Sequence, residues 1–176
     1  MPLKTERLIL DSWQSSDWTA FRPIAQDPEV MRYITGGVPW TDEQVRRFVN
    51  RQVELYAERG FCRWRVLDPA SGELMGFCGV GFWGQELDPE IGWWLAKRYW
   101  RCGFATEAAQ CALHDIFGRV GLEGVISVAE ARNTASRRVM EKLGMRLECE
   151  LLREGLELVR YKILQTQYAL TWRSGV

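Results

Sequence analysis

Histidine is nearly absent: 176 residues hold one, His114, inside a helical pattern. A Ser-His-Asp or Cys-His nucleophile therefore has little support, and an ordinary helix-surface or core histidine is expected. Five cysteines, Cys62, Cys78, Cys102, Cys111 and Cys149, are odd in number and widely spaced, with no C-x-x-C pair. They form neither a disulfide framework nor a zinc or redox cluster, and read as buried or partly buried free thiols with no metal. An excess of charge is lacking too, with 23 basic and 23 acidic residues. No overall field favours nucleic acid or an anionic membrane. No run approaches a membrane span, and the opening Met1-Pro2-Leu3-Lys4-Thr5-Glu6-Arg7 has no signal-peptide apolar stretch, so a cytoplasmic protein is expected. There is no Pro/Gly/Ser linker, internal repeat or low-complexity tract. One domain over 1–176 is expected, with a core from about residue 6 to about 172, because this length suits one sizeable core.

What is present is a mixed α/β pattern. Leu8-Ile9-Leu10 reads as a first strand, and Ser15-Ser16-Asp17 as a helix start leading into Trp18, Phe21 and Ile24. Thr41-Asp42-Glu43-Gln44 has capping-box form, and Val45, Phe48, Val49, Val53 and Tyr56 follow at helical spacing up to Gly60. Between them, residues 33–40 suit either a loop bending around a substrate or a plain helix connection. Residues 61–67 and 73–82 read as a β-hairpin turning at Asp68-Pro69-Ala70-Ser71-Gly72, followed by a strand over 90–95. A helix of small residues (Ala105, Ala108, Ala109, Ala112) ends near Gly118 to Gly121, before a strand at 125–128. A short helix with Ala135, Val139 and Leu143 on one face stops at Gly144, and two strands close the chain over 146–152 and 159–170.

The segment from Glu90 to Ala108 carries the chemistry. A strand passes through a glycine-bearing turn into a helix start, where unpaired N–H groups and the positive end of the macrodipole make an anion site suited to a pyrophosphate. Gly103 lets the backbone approach, and Ala105 keeps the helix mouth open. No Gly-Lys-Ser/Thr follows and no G-x-G-x-x-G is present, which excludes a P-loop and the dinucleotide fingerprint.

Three stretches, 90–96 (EIGWWLA), 99–108 (YWRCGFATEA) and 133–145 with Asn133-Thr134-Ala135-Ser136 and Glu141-Lys142-Leu143-Gly144-Met145, resemble the motifs of the GNAT superfamily of N-acetyltransferases. With Thr5-Glu6-Arg7-Leu8 and Tyr168-Ala169-Leu170, the resemblance spans nearly the whole chain and is nearest to the ribosomal-protein (RimJ/RimL-like) subgroup. It implies a central, mostly antiparallel twisted sheet with splayed central strands flanked by helices, and direct acetyl transfer from acetyl-CoA to an amine.

By the same resemblance, the loop written Q/R-x-x-G-x-G/A corresponds to Trp100 through Ala105. Arg101, Cys102, Gly103, Phe104, Ala105 and Thr106 are then expected around the pyrophosphate. Trp100 replaces Gln or Arg, and Arg101 stands where close relatives often have glycine. Because the grip is by backbone N–H groups, these departures should alter affinity more than identity. Trp94 and Leu95 match the splayed strand that bonds the pantetheine arm. Asn133 matches the asparagine that bonds the pantetheine amide, and it also suits a helix N-cap. Many members carry a tyrosine four residues beyond Ser136 as general acid, but here Met140 stands there; the ribosomal-protein subgroup uses a serine matching Ser136. Glu90 is the expected base, Glu107 a structural partner of the helix dipole, and Arg138, with Arg137 and Lys142, a candidate for the 3′-phosphate.

The acceptor expected by resemblance is a protein N-terminal amine; a small amine such as a polyamine, an aminoglycoside or an amino-acid derivative is the alternative, and a CoA-binding sensor without turnover is a third reading. Nine tryptophans suit an aromatic acceptor cleft with Trp40 and Trp83, a core, or a homodimer interface.

Overall fold

In the computed structural model, which describes residues 1–82 and 88–168, the chain builds one eight-stranded sheet in the order β1-β2-β3-β4-β5-β6-β8-β7. The strands are β1 (Leu3–Lys4), β2 (Ile9–Asp11), β3 (Arg63–Leu67), β4 (Leu74–Gly81), β5 (Glu90–Leu95), β6 (Gly124–Glu130), β7 (Arg146–Arg153) and β8 (Leu156–Leu164). The helices are α1 (Trp18–Ala25), α2 (Pro28–Met31), α3 (Asp42–Arg59), α4 (Phe104–Asp115) and α5 (Thr134–Lys142). Every strand pair is antiparallel except β5 with β6. The α/β fold with splayed central strands is as expected. Among the described residues, no helix is long and apolar enough to cross a membrane.

Local chemistry sets the boundaries. Thr41 Oγ1 accepts the Gln44 N–H at 3.2 Å while the Gln44 side chain accepts the Thr41 N–H at 2.8 Å, closing the capping box that starts α3. Gly60 ends it in the left-handed region at φ 73°. Phe77 of β4 meets Phe21 of α1 and Phe48 of α3 at 5.9 and 5.0 Å between ring centroids. The next residue, Cys78, points to the opposite face, as alternation requires. There burial, first, and then Cys111 of α4 push its thiol up. The sheet thus has α1 and α3 on one side and α4, with its buried Ala108, Ala109 and Ala112, on the other.

Several expectations need correction. Strand β8 ends at Leu164, and residues 165–168 form a helical turn where a continuing strand was expected; 169 and 170 lie outside the described residues. On α5, Leu143 is buried and Val139 packs against the core as expected, but Ala135 is exposed and Met140 joins the buried face. Cys102 and Cys149 are exposed, while Cys62 and Cys78 are buried and Cys111 is half-buried. His114 lies on the exposed side of α4.

Candidate active site

The site opens where β5 leaves β6. The two strands share a single pair, Glu90 with Ile126, reinforced by the Ile126 N–H donating to the Pro89 carbonyl at 3.0 Å. From there β5 stays with β4 up to Leu95 opposite Gly76. Ala96 N–H donates to the Met75 carbonyl at 2.9 Å, so the Leu95 carbonyl of the same trans peptide points away from β4. Alternation along the strand then turns the backbone groups of Ile91, Trp93 and Leu95 into the gap. Gly76 lets β4 hug this strand, since a Cβ there would lie 2.0 Å from the Trp94 carbonyl.

At the end of β5 a 3₁₀ turn, Lys97–Tyr99, leads into the loop before α4. Trp100 Nε1 donates to the Leu95 carbonyl at 2.7 Å, pinning the start of this loop to the open strand. Arg101 (φ 60°) and Gly103 (φ 84°) are both left-handed, the conformation that gathers successive N–H groups into an anion-binding concavity. The first helical bond of α4 is Glu107 N–H to the Gly103 carbonyl at 3.1 Å, and no side chain caps the helix. The N–H groups of Phe104, Ala105 and Thr106 are therefore available to an anion. Gly103 tolerates its conformation, but Arg101 is strained by about 1–2 kcal/mol. Arg101→Gly should melt about 2–4 °C above Arg101→Ala, which keeps the strain; scanning calorimetry of the two variants checks this.

Glu107 does not face this mouth as a bare charge. Its carboxylate accepts Thr5 Oγ1 at 2.5 Å, the Arg7 backbone N–H at 3.1 Å and Arg7 Nε at 2.7 Å. Burial alone would push its carboxyl up; the bonds from Thr5 and Arg7 outweigh burial, and the net direction is down. The expected structural role of Glu107 thus extends to anchoring the opening turn of the chain. Arg7 and its contact with this loop were missed in the sequence, although Thr5-Glu6-Arg7-Leu8 had been noticed as a motif.

On the sheet face of α1 and α3, Arg63 Nη2 lies 3.2 Å from Glu90 Oε2, with side-chain exposures of 5% and 16%. Gly81 and Gly92 make room for the guanidinium: a Cβ at either would meet Arg63 atoms at 3.4 to 3.6 Å. Burial lowers the Arg63 pKa, and the Glu90 charge opposes that shift. Trp94, half-buried, is part of an aromatic cluster with Phe77 at 5.0 Å, Trp40 at 4.8 Å and Phe48 at 6.2 Å. Trp40 packs on that cluster, and Trp83 lies outside the described residues.

Asn133 caps α5, its Oδ1 accepting the Ser136 N–H at 3.2 Å. The Ser136 hydroxyl has no protein partner among the described residues. Met140 is 1% exposed and belongs to the core. Arg138 is exposed, whereas Arg137 Nη1 is engaged by the Ala131 carbonyl at 3.1 Å. The structure therefore joins Leu95 to Trp100, Arg7 to the loop, Asn133 to Ser136 and Glu90 to Arg63. Among the described residues no group of acidic, histidine and cysteine side chains could hold a metal ion.

An open strand edge thus lies beside a helix mouth whose N–H groups are unpaired among the described residues, an arrangement able to take an extended arm that ends in an anionic group. The family model for the acetyltransferase (GNAT) domain matches residues 7–146, and the chain belongs to that family. It is an N-acetyltransferase using acetyl-CoA as co-substrate. It is 34% identical over 148 residues to the uncharacterized N-acetyltransferase YnaD of Bacillus subtilis, covering 84% of each chain. A crystal structure of a GNAT-family acetyltransferase from Bacillus anthracis superposes with a TM-score of 0.80 at 32% identity, over 94% of this chain and 99% of the other. RimL, a ribosomal L7/L12 alpha-N-protein acetyltransferase in complex with coenzyme A, shares the fold with a TM-score of 0.78 at 16% identity, covering 93% and 98%.

Proposed function

We propose that this chain acetylates a protein N-terminal α-amine, as a member of the ribosomal-protein subgroup. The observation that carries the reading is the gap between β5 and β6, opening beside the loop over 100–106. Loop N–H groups from Gly103 to Thr106 hold the pyrophosphate, with Arg101, Cys102 and the exposed Arg138 at its margin. The backbone edge at Trp93 and the Leu95 N–H, with Trp94 fixing the strand from behind, receives the pantetheine arm, and Asn133 lies on its other side. Acetyl-CoA supplies an activated acetyl thioester, which an unprotonated amine attacks directly. Ser136 returns a proton to the departing sulfur, because Met140 has none to give and is sealed in the core.

Glu90 takes a different part from the base read in the sequence. Accepting a proton would weaken the ion pair that Glu90 makes with the buried Arg63 guanidinium, at a cost in free energy. Glu90 instead draws the acceptor amine toward the strand. An acceptor that sheds its proton to water without help fits this site best. An α-amine, with a pKa of about 8, does so far more readily than a lysine or polyamine ammonium at about 10.

Incubation with acetyl-CoA and short peptides or polyamines, read by mass spectrometry, tests the acceptor. Acetylation confined to peptide α-amines is expected. Faster modification of a polyamine or aminoglycoside would move the acceptor to small amines. Cofactor binding without any product would make the chain a sensor.

A further inference from the structure

We infer that Arg7 is a positioning residue for the co-substrate, acting by fixing the peptide plane between Cys102 and Gly103. This rests on the loop over 100–106 being the pyrophosphate site. Arg7 Nη1 donates to the Cys102 carbonyl at 3.1 Å. In a trans peptide the carbonyl and the following N–H point in opposite directions, so holding that carbonyl turns the Gly103 N–H away from Arg7. That N–H has no partner among the described residues. It directly precedes in the chain the N–H groups that open α4. The guanidinium is itself fixed: Nη2 lies 2.5 Å from Glu107 Oε2, and its carbon sits 4.6 Å from the Phe104 ring centroid. A Cβ on Gly103 would meet Arg7 Nη2 at 3.4 Å, so the side chain lies directly against the loop.

The same contact has an electrostatic consequence. A bare carboxylate in the first turn of α4 would repel a bound diphosphate. Arg7 neutralises Glu107 where the phosphates would sit, and screening is weak at such a short separation. Arg7 thus orients one donor of the cradle and cancels the one acidic charge in the first turn of α4.

The test uses the full chain and ADP, which carries the diphosphate without the acyl arm, alongside acetyl-CoA. Arg7→Met, kept folded well below its melting temperature, should bind both about tenfold more weakly in calorimetry, with KM for acetyl-CoA raised and kcat little changed. Arg7→Lys should fall between this variant and wild type. In a ¹⁵N-labelled sample the Gly103 amide should shift on adding ADP to wild type and lose that shift in Arg7→Met. Unchanged affinities in a folded Arg7→Met would overturn the inference. If Arg7→Met does not fold, an unmoved Gly103 amide in wild type saturated with ADP would do the same. Failure of wild type to bind either compound would instead remove the pyrophosphate assignment on which the inference stands.

Discussion

Glu90→Leu is expected to lower stability by about 3–5 kcal/mol, because it breaks an ion pair to a guanidinium that is almost wholly shielded from water. For a chain of this size that is a fall of roughly 10 °C in melting temperature, well outside the scatter of surface substitutions. Removing both charges should be far milder, since Arg63→Met with Glu90→Leu replaces the ion pair by apolar groups that need no counter-charge. The double variant should therefore regain more than half of the lost stability and still fail to turn over, because the carboxylate that draws the amine is gone. Thermal melts of the two single variants and the double, with acetylation rates on the double, check both halves. Additive losses of stability would show that the pair does not act as a unit.

Ser136→Ala should lower kcat by about a hundredfold or more, the range for removing a general acid. Affinity for acetyl-CoA should stay within twofold. Fold and catalysis separate cleanly at this position: Ser136 gives its backbone N–H to the Asn133 cap, and alanine keeps that N–H. Helix α5 should thus be unharmed, and the melting temperature unchanged. Asn133→Ala removes the cap itself and should cost about 1 kcal/mol. Single-turnover kinetics on Ser136→Ala give the answer, and an unchanged rate would return the proton to water.

Strands and helices were legible where local chemistry punctuates them. Thr41 and Gly60 bracket α3 by capping alone, and Glu90 to Leu95 appears as a strand with the bounds read from the sequence. The glycine-bearing turn into α4 was legible as well, with Gly103 in the left-handed region just before the helix. Long-range pairing was not. Arg63 sits in an apolar-flanked strand position, between Cys62 and Trp64, and the carboxylate it meets lies 27 positions away. That pairing gives Glu90 a partner in the structure that its place in the sequence does not reveal. Arg7 reaches Cys102 and Glu107 across 95 and 100 positions, which no periodicity reveals.

Trp100 shows how a departure from a motif is resolved by geometry. The sequence presents it as a lost glutamine or arginine at the head of the loop. In the structure its indole N–H bonds the Leu95 carbonyl, tying the loop to the strand that the pantetheine arm would follow. Met140 is the converse case: the residue at the position where many relatives carry a tyrosine is a core side chain. The face of α5 was read in part: Val139 and Leu143 do pack inward, while spacing of four alone overlooked Met140 and carried the stripe one turn too far, to exposed Ala135.

Calorimetric titration of the purified chain with acetyl-CoA tests the account most directly. Saturable micromolar binding near one per chain is predicted, because the loop N–H groups and the open edge of β5 are already in place. A folded protein that takes up no acetyl-CoA would contradict the assignment of that loop and that strand edge as the co-substrate site.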